Sequence, residues 1–230
     1  QAGHGVKLVF REPPILAGLC DRRARAVGRG PGRDAKPGHT MRHGIAIAVP
    51  IGDHHRKPAR HRLGQDVPKR FGQAGVDVNV RGTFLTSQAA IPFLKVGNNP
   101  HILTLSPPIS LNGKWFRRNT AYTISKYGMS MCVIGMAEEF RREKIAVNAL
   151  WPRTAIDTAA LRMIPGIDTN FCRKPEIMAD AAQIILNKPS SESGNFFIDD
   201  EVLASAGITD LDKYAVVPGT KEFIPDFYLD

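Results

Sequence analysis

Two short apolar runs, each halted by proline, constrain this chain more than any other feature. Residues 101–106 read His-Ile-Leu-Thr-Leu-Ser and stop at Pro107-Pro108; residues 145–151 read Ile-Ala-Val-Asn-Ala-Leu-Trp and stop at Pro152. Aliphatic, β-branched runs of this length without polar alternation suit strands buried on both faces, which occur in parallel sheets. Parallel neighbours need a crossover, and residues 120–144 supply a helix. In it Ala121, Ile124, Met129, Met131, Ile134, Met136 and Phe140 recur at a spacing that predicts burial. A helix over 78–95, carried by Val80, Phe84, Ala89, Ile91 and Leu94, precedes the first strand, and Asn98-Asn99-Pro100 reads as the turn between them. Helices near 155–163 and over 175–186 and a strand at 195–198 follow, ahead of an acidic, aromatic tail. This alternation predicts an α/β fold: the second half of a Rossmann-like, doubly wound parallel sheet. Ligands of such sheets bind at the carboxyl ends of the strands.

The 230 residues are enough for one such domain, yet the charge divides them. Residues 1–70 hold 15 Lys and Arg against 5 Asp and Glu, whereas residues 71–230 hold 16 against 17. The formal net charge of +9 therefore belongs to the first third, which also carries six of the seven histidines and Arg-, Gly- and Pro-rich runs among short apolar islands. Two domains are expected: a basic segment over 1–70 and the recognisable half of the fold over 71–230. Three readings stay open for the segment: a disordered arm that binds polyanions, a divergent part of the fold, or translation out of the natural frame of a GC-rich gene. Gln1 in place of Met predicts a fragment.

Several function classes are excluded as expectations. No apolar run approaches the ~18–20 residues of a bilayer span, and the interrupted first 20 residues do not read as a secretion signal, so the chain is expected to be cytoplasmic. Cys20, Cys132 and Cys172 are too few and too scattered for a disulfide framework or a paired zinc motif. His39, His43, His54 and His55 lack a carboxylate or thiol to complete a metal site. The Arg-rich run over 22–33 lacks interleaved aromatics, so no specific nucleic acid partner is expected.

Chemistry is carried by Tyr122 and Lys126. Four residues apart on a helix, they project from one face. A phenol beside an ammonium ionises more readily than its ordinary pKa of ~10 allows, which equips it to pass a proton to or from a carbonyl or alcohol oxygen. The pair alone is common; its setting, between strands ending at Ser106 and Trp151, is not. The runs around it, Ala-Tyr-Thr-Ile-Ser-Lys-Tyr-Gly-Met-Ser-Met at 121–131, Gly-Met-Ala-Glu-Glu-Phe at 135–140 and Ala-Val-Asn-Ala-Leu-Trp-Pro at 146–152, resemble the short-chain dehydrogenase/reductase family, and within it a hydroxysteroid dehydrogenase-like branch. The likeness spans 78–230, with a faint trace at 68–71.

The resemblance implies a set of roles. Tyr122 would be the general acid/base. Lys126 would lower its pKa and hold the ribose of a nicotinamide cofactor, NAD or NADP. Asn79 would match the helix asparagine whose backbone holds a relay water. Ser106 is the nearest match to the serine that polarises the substrate carbonyl, but Pro107 stands where that serine usually lies, so the role falls to Ser106, to Ser110 or to neither. Arg153 replaces a glycine after the strand, and Ile156 and Thr158 match residues that touch the cofactor carboxamide. Each has a plainer reading: Asn79 and Thr158 as helix caps, Ser106 on strand-end amides, Lys126 as a solvated lysine. The family's glycine-rich turn, Thr-Gly-x-x-x-Gly-x-Gly, and its Asn-Asn-Ala-Gly have no counterpart here; the glycines at 28–32 follow charged residues and include Pro31. The implied function is hydride transfer between NAD(P) and an alcohol or carbonyl on a small, hydrophobic, lipid-like substrate, in a homo-oligomer. The alternative is a noncatalytic remnant that acts as an interaction protein.

Overall fold

The computed structural model describes residues 75–117 and 119–229. The basic segment 1–70, its histidines, its glycine run and the three readings of it lie outside the described residues, as does the trace at 68–71. Three parallel strands, β1 (His101–Thr104), β2 (Ala146–Trp151) and β3 (Phe196–Ile198), lie in the order β1-β2-β3, with Ile102 opposite Val147 and Leu150 opposite Phe197. Every residue of β1 and β2 is buried, as the unbroken apolar runs require.

Alternation along the strands sends side chains into two layers. Ile102, Val147 and Ala149 meet Leu94 of α1 (Gly82–Leu94) and Val133, Met136 and Ala137 of α2 (Thr120–Glu139). Leu103 and Leu150 point the other way. They meet Ile177, Ala181 and Ile185 of α4 (Glu176–Leu186), which follows the single turn α3 (Ala159–Arg162), and Val202 and Leu203 of α5 (Asp199–Ser205). Helices on both faces of a parallel sheet make the doubly wound, Rossmann-like half that the alternation predicts. Each such Leu or Ile stabilises the fold by about 1.5–3 kcal/mol through removal from water. The turn at 98–100 is also a tie: Asn99, at φ 55°, accepts from the Ser190 amide at 2.8 Å and donates to Lys188 O at 2.9 Å.

The helices differ from expectation in which face they bury. On α2 the buried residues are Thr123, Ser125, Lys126, Tyr127, Met129, Ser130, Val133, Met136 and Ala137, whereas Ile124, Met131 and Ile134 are exposed. On α1 only Thr83, Ser87 and Leu94 are buried, and Phe84 and Phe93 face outward. Close approach explains the exchange. A Cβ on Gly128 would stand 2.5 Å from Cγ2 of Val80, so the two helical segments touch where only small side chains fit. The helix expected over 78–95 begins instead as a π-helical turn, Val76–Arg81, ahead of α1. The helix over 120–144 closes at Glu139, and that near 155–163 shrinks to α3. Part of the stretch expected to be an acidic tail is α5, whose first turn holds Asp199, Asp200 and Glu201, a placement the helix dipole favours. No helix among the described residues is long and apolar enough to cross a membrane.

Candidate active site

A third apolar cluster sits beyond the carboxyl ends of the strands, built from Tyr127, Trp151, Ile198 and Tyr228 with Ile109, Trp115 and Phe116 around it. It borders the first turns of α2. Tyr122 and Lys126 rise there, and their environments are unequal. Tyr122 keeps 41% of its surface exposed, yet its phenol is pushed well above the usual tyrosine range by loss of water, by Tyr228 and by the charge of Asp226. The lowering expected from Lys126 is absent, since every group acting on the phenol raises it; Lys126, a residue only 2% exposed, is itself brought down to about 8 by burial, against the raising field of Asp226. Lys126 is not a solvated helix lysine. Its Nζ donates to Leu105 O at 3.3 Å and stands 5.2 Å from the centre of the Trp151 ring. The first of these contacts joins α2 to the end of β1, beside Ser106.

Asn79 reaches the same turn of α2. Its Nδ2 donates to Ser125 Oγ at 3.1 Å, and Ser125 Oγ donates to the carbonyl of Tyr122 at 2.8 Å. It caps neither helical segment: Gly75 and Arg81 occupy those places. Its carbonyl accepts from the Gly82 amide that closes the π-helical turn.

The two serines differ. Ser106 is wholly buried and its Oγ has no hydrogen-bond partner, whereas Ser110 Oγ accepts from the Asn112 amide at 3.2 Å and the Ser110 amide donates to Tyr127 Oη at 3.3 Å. Past β2, Ile156 pairs with Arg173 through its neighbours: the Arg173 amide donates to Ala155 O and the Asp157 amide to Arg173 O. The amide and carbonyl of Ile156 itself stay outside that pairing. Thr158 caps α3, its Oγ1 accepting from the Leu161 amide at 3.2 Å, which leaves the hydroxyl proton to donate elsewhere.

Residues 225–228 lie across this site. The Asp226 amide donates to Arg153 O at 3.0 Å, Trp151 Nε1 donates to Phe227 O at 2.9 Å, and Pro225 bridges to Thr154. The Tyr228 ring stacks on Tyr122 with centroids 6.4 Å apart and planes at 24°. Asp226 is pushed up to about 6 by burial, opposed by its bond from the Phe227 amide and by Lys126. Motif spacing offered no signal for Ser125, Asp226 or Tyr228; only the aromatic, acidic character of the tail set the last two apart.

A family model described as enoyl-(acyl carrier protein) reductase matches residues 58–184, more than half of the chain. The chain belongs to the short-chain dehydrogenase/reductase family. Among its curated relatives in this family, hydroxysteroid dehydrogenase-like protein 2 of Mus musculus is 57% identical over 166 residues, covering 72% of this chain and 34% of the relative. The Homo sapiens protein of that name is 54% identical over 167 residues, covering 72% and 39%. The chain thus spans little more than a third of the length of these relatives. Two solved structures share the fold. A protein of Xanthomonas campestris assigned as a dehydrogenase is 50% identical with a TM-score of 0.69, covering 72% of this chain and 61% of its own. A short-chain dehydrogenase of Mycobacterium thermoresistibile is 46% identical with a TM-score of 0.66, covering 76% and 63%. The family match begins at residue 58, upstream of 71, and takes in Asn79, Ser106, Tyr122, Lys126, Ile156 and Thr158.

Proposed function

We propose that this chain carries the proton-transfer half of a nicotinamide-dependent oxidoreductase that interconverts an alcohol and a carbonyl on a hydrophobic substrate. The observation that carries the reading is the pairing of Tyr122 with a buried Lys126 on one face of α2, at the carboxyl ends of parallel strands. The residues present suit the nicotinamide end of NAD or NADP. Lys126 would hold the ribose, the amide and carbonyl of Ile156, which stand outside its pairing with Arg173, and the hydroxyl of Thr158 would take the carboxamide, and Ser106 Oγ, without a partner among the described residues, would take the substrate oxygen. The bound cofactor supplies or accepts the hydride.

The rest is done by the protein. In reduction, Tyr122 Oη–H donates its proton to the carbonyl oxygen as charge builds there, and the Lys126 ammonium stabilises the phenolate left behind. Because its surroundings hold the phenol well above the usual range, Tyr122 is protonated through neutral pH and set up as an acid. Alcohol oxidation needs the opposite form and is expected to rise with alkalinity. The Asn79–Ser125–Tyr122 chain orients the turn that presents the phenol, and the backbone of Asn79 would hold the relay water that returns the proton, as the family resemblance implies.

An aromatic surround of Trp115, Trp151 and Tyr228 supports a hydrophobic substrate. Exposed apolar residues on α1 and α2, Phe84, Phe93, Ile124, Met131 and Ile134, support a homo-oligomer through these helices. The free thiols of Cys132 and Cys172 suit a reducing compartment such as the cytoplasm. The missing glycine-rich turn favours one other reading, a noncatalytic family remnant. Turnover of reduced nicotinamide with a panel of hydrophobic ketones separates the two. Tyr122→Phe is expected to lower kcat by about 10²–10⁴-fold with the fold intact by circular dichroism; undiminished turnover removes Tyr122 from the mechanism.

A further inference from the structure

The segment 225–228 is held more firmly than a passing tail needs. Three contacts fix it along the end of β2 and the stretch that follows: the bridge of Pro225 to Thr154, the Asp226 amide on Arg153 O, and the Trp151 indole on Phe227 O. At its end Tyr228, 3% exposed, sits among the rings of Tyr127, Trp151 and Trp115, with centroids 5.1, 5.8 and 5.6 Å away. Its hydroxyl lies 3.2 Å from Thr123 Oγ1, one residue along α2 from Tyr122. Tyr228 holds φ at 74°, a left-handed conformation that a bulky side chain adopts only where its surroundings over-determine it, and such strain clusters at functional sites.

We infer that residues 225–228 form a strap laid along one side of the reaction site on α2, setting Asp226 on the Lys126 side as its counter-charge and Tyr228 against one face of Tyr122 as a partial cover. The inference rests on the assignment of Tyr122 and Lys126 as the proton-transfer pair and adds two positioning residues to it. Asp226 and Lys126 act on one another's charge, each stabilising the other's ionised form against burial. Among the described residues, the other groups that face this pair do so at Asp226: Tyr122 from α2, Tyr228 from the strap, and Asp199 from the start of α5, where it accepts from the Arg153 amide while the Arg153 side chain engages Asp200 and Glu201. The strap therefore acts on Lys126 in two opposed ways: it excludes water, which disfavours the ammonium, and it delivers a carboxylate, which favours it.

These two effects make the strap testable without turnover. The titration of Lys126 is read in the full chain labelled with [13Cε]lysine, with its resonance assigned by loss in Lys126→Met. The unaltered chain is expected to show a midpoint of about 8. Asp226→Asn removes the counter-charge but keeps the cover, and is expected to move the midpoint lower; Asp226→Glu restores it. Tyr228→Ala lifts the cover and is expected to move the midpoint the other way, toward the ordinary value of 10.5. A Lys126 midpoint that Asp226→Asn and Tyr228→Ala both leave in place overturns the strap. So does a shift in the same direction for both, which would mark a general loosening. Failure of the oxidoreductase reading is seen separately, as turnover unchanged by Tyr122→Phe or absent from the unaltered chain.

Discussion

At the scale of single residues, Lys126 shows how the site opposes the fold. An ammonium on a residue only 2% exposed is a cost that Leu105 O, the Trp151 face and Asp226 only partly offset. Its folded pKa of about 8 lies below the ordinary 10.5, so folding favours the neutral amine, and the stability this gives is lost as pH falls from 10.5 through 8. At neutral pH the charged form is therefore a burden. Lys126→Met should raise the urea midpoint at neutral pH, by a stability gain of about 1 kcal/mol or more, while abolishing turnover; a lower midpoint would show that the pair stabilises the fold on balance. The same value sets the rate profile. Carbonyl reduction should decline above about 8, where the phenolate loses its counter-charge, while Tyr122 stays protonated. Tyr122 and Lys126 were legible in the sequence because their spacing is local and the runs around them are long. Asp226 and Tyr228 were not, because a partner a hundred residues away leaves no periodic mark.

At the scale of elements, the π-helical turn and α2 act as one part. Val80 packs over Gly128, and the contact carries Asn79 to Ser125. Gly128→Ala puts a methyl 2.5 Å from Val80 Cγ2, on a stiff β-branched side chain. It is expected to cost about 1–3 kcal/mol in urea titration and to lower kcat by more than a change in KM, because Asn79 moves with Val80; unchanged kinetics would separate Asn79 from the reaction. The strands were legible in outline, since a run buried on both faces and stopped by proline has few other fates. The helical faces were not. Apolar spacing on α2 selected Ile124, Met131 and Ile134, which are exposed, while Thr123, Ser125 and Ser130 turn inward beside Gly128, where Val80 approaches closely. Glutamates in place of Met131 and Ile134 should shift the protein toward monomer in light scattering while leaving the helical signal intact.

At the scale of the whole molecule, the sheet is tied where it begins and closed where it ends. His101, wholly buried at the start of β1, donates from Nε2 to Lys188 O at 3.0 Å, and burial lowers its pKa below the ordinary 6.5. The unfolded chain takes up that proton first, so this contribution to stability is complete above 6.5 and is lost as pH falls toward the depressed folded value. The thermal midpoint should drop between neutral pH and about pH 5, and His101→Gln, which keeps a donor and removes the titration, should flatten the drop. The other end of the structure has a different consequence. The contact of Thr123 with Tyr228 joins residues 105 apart in sequence, and closing so long a loop costs entropy that the local contacts of α2 do nothing to lower. Docking of residues 225–228 is thus expected to come late in folding and early in unfolding. On refolding, far-UV ellipticity should recover before the fluorescence of Trp151, so the chain is expected to pass through a state that is native in its helices and sheet yet lacks the ring of Tyr228 beside Tyr122.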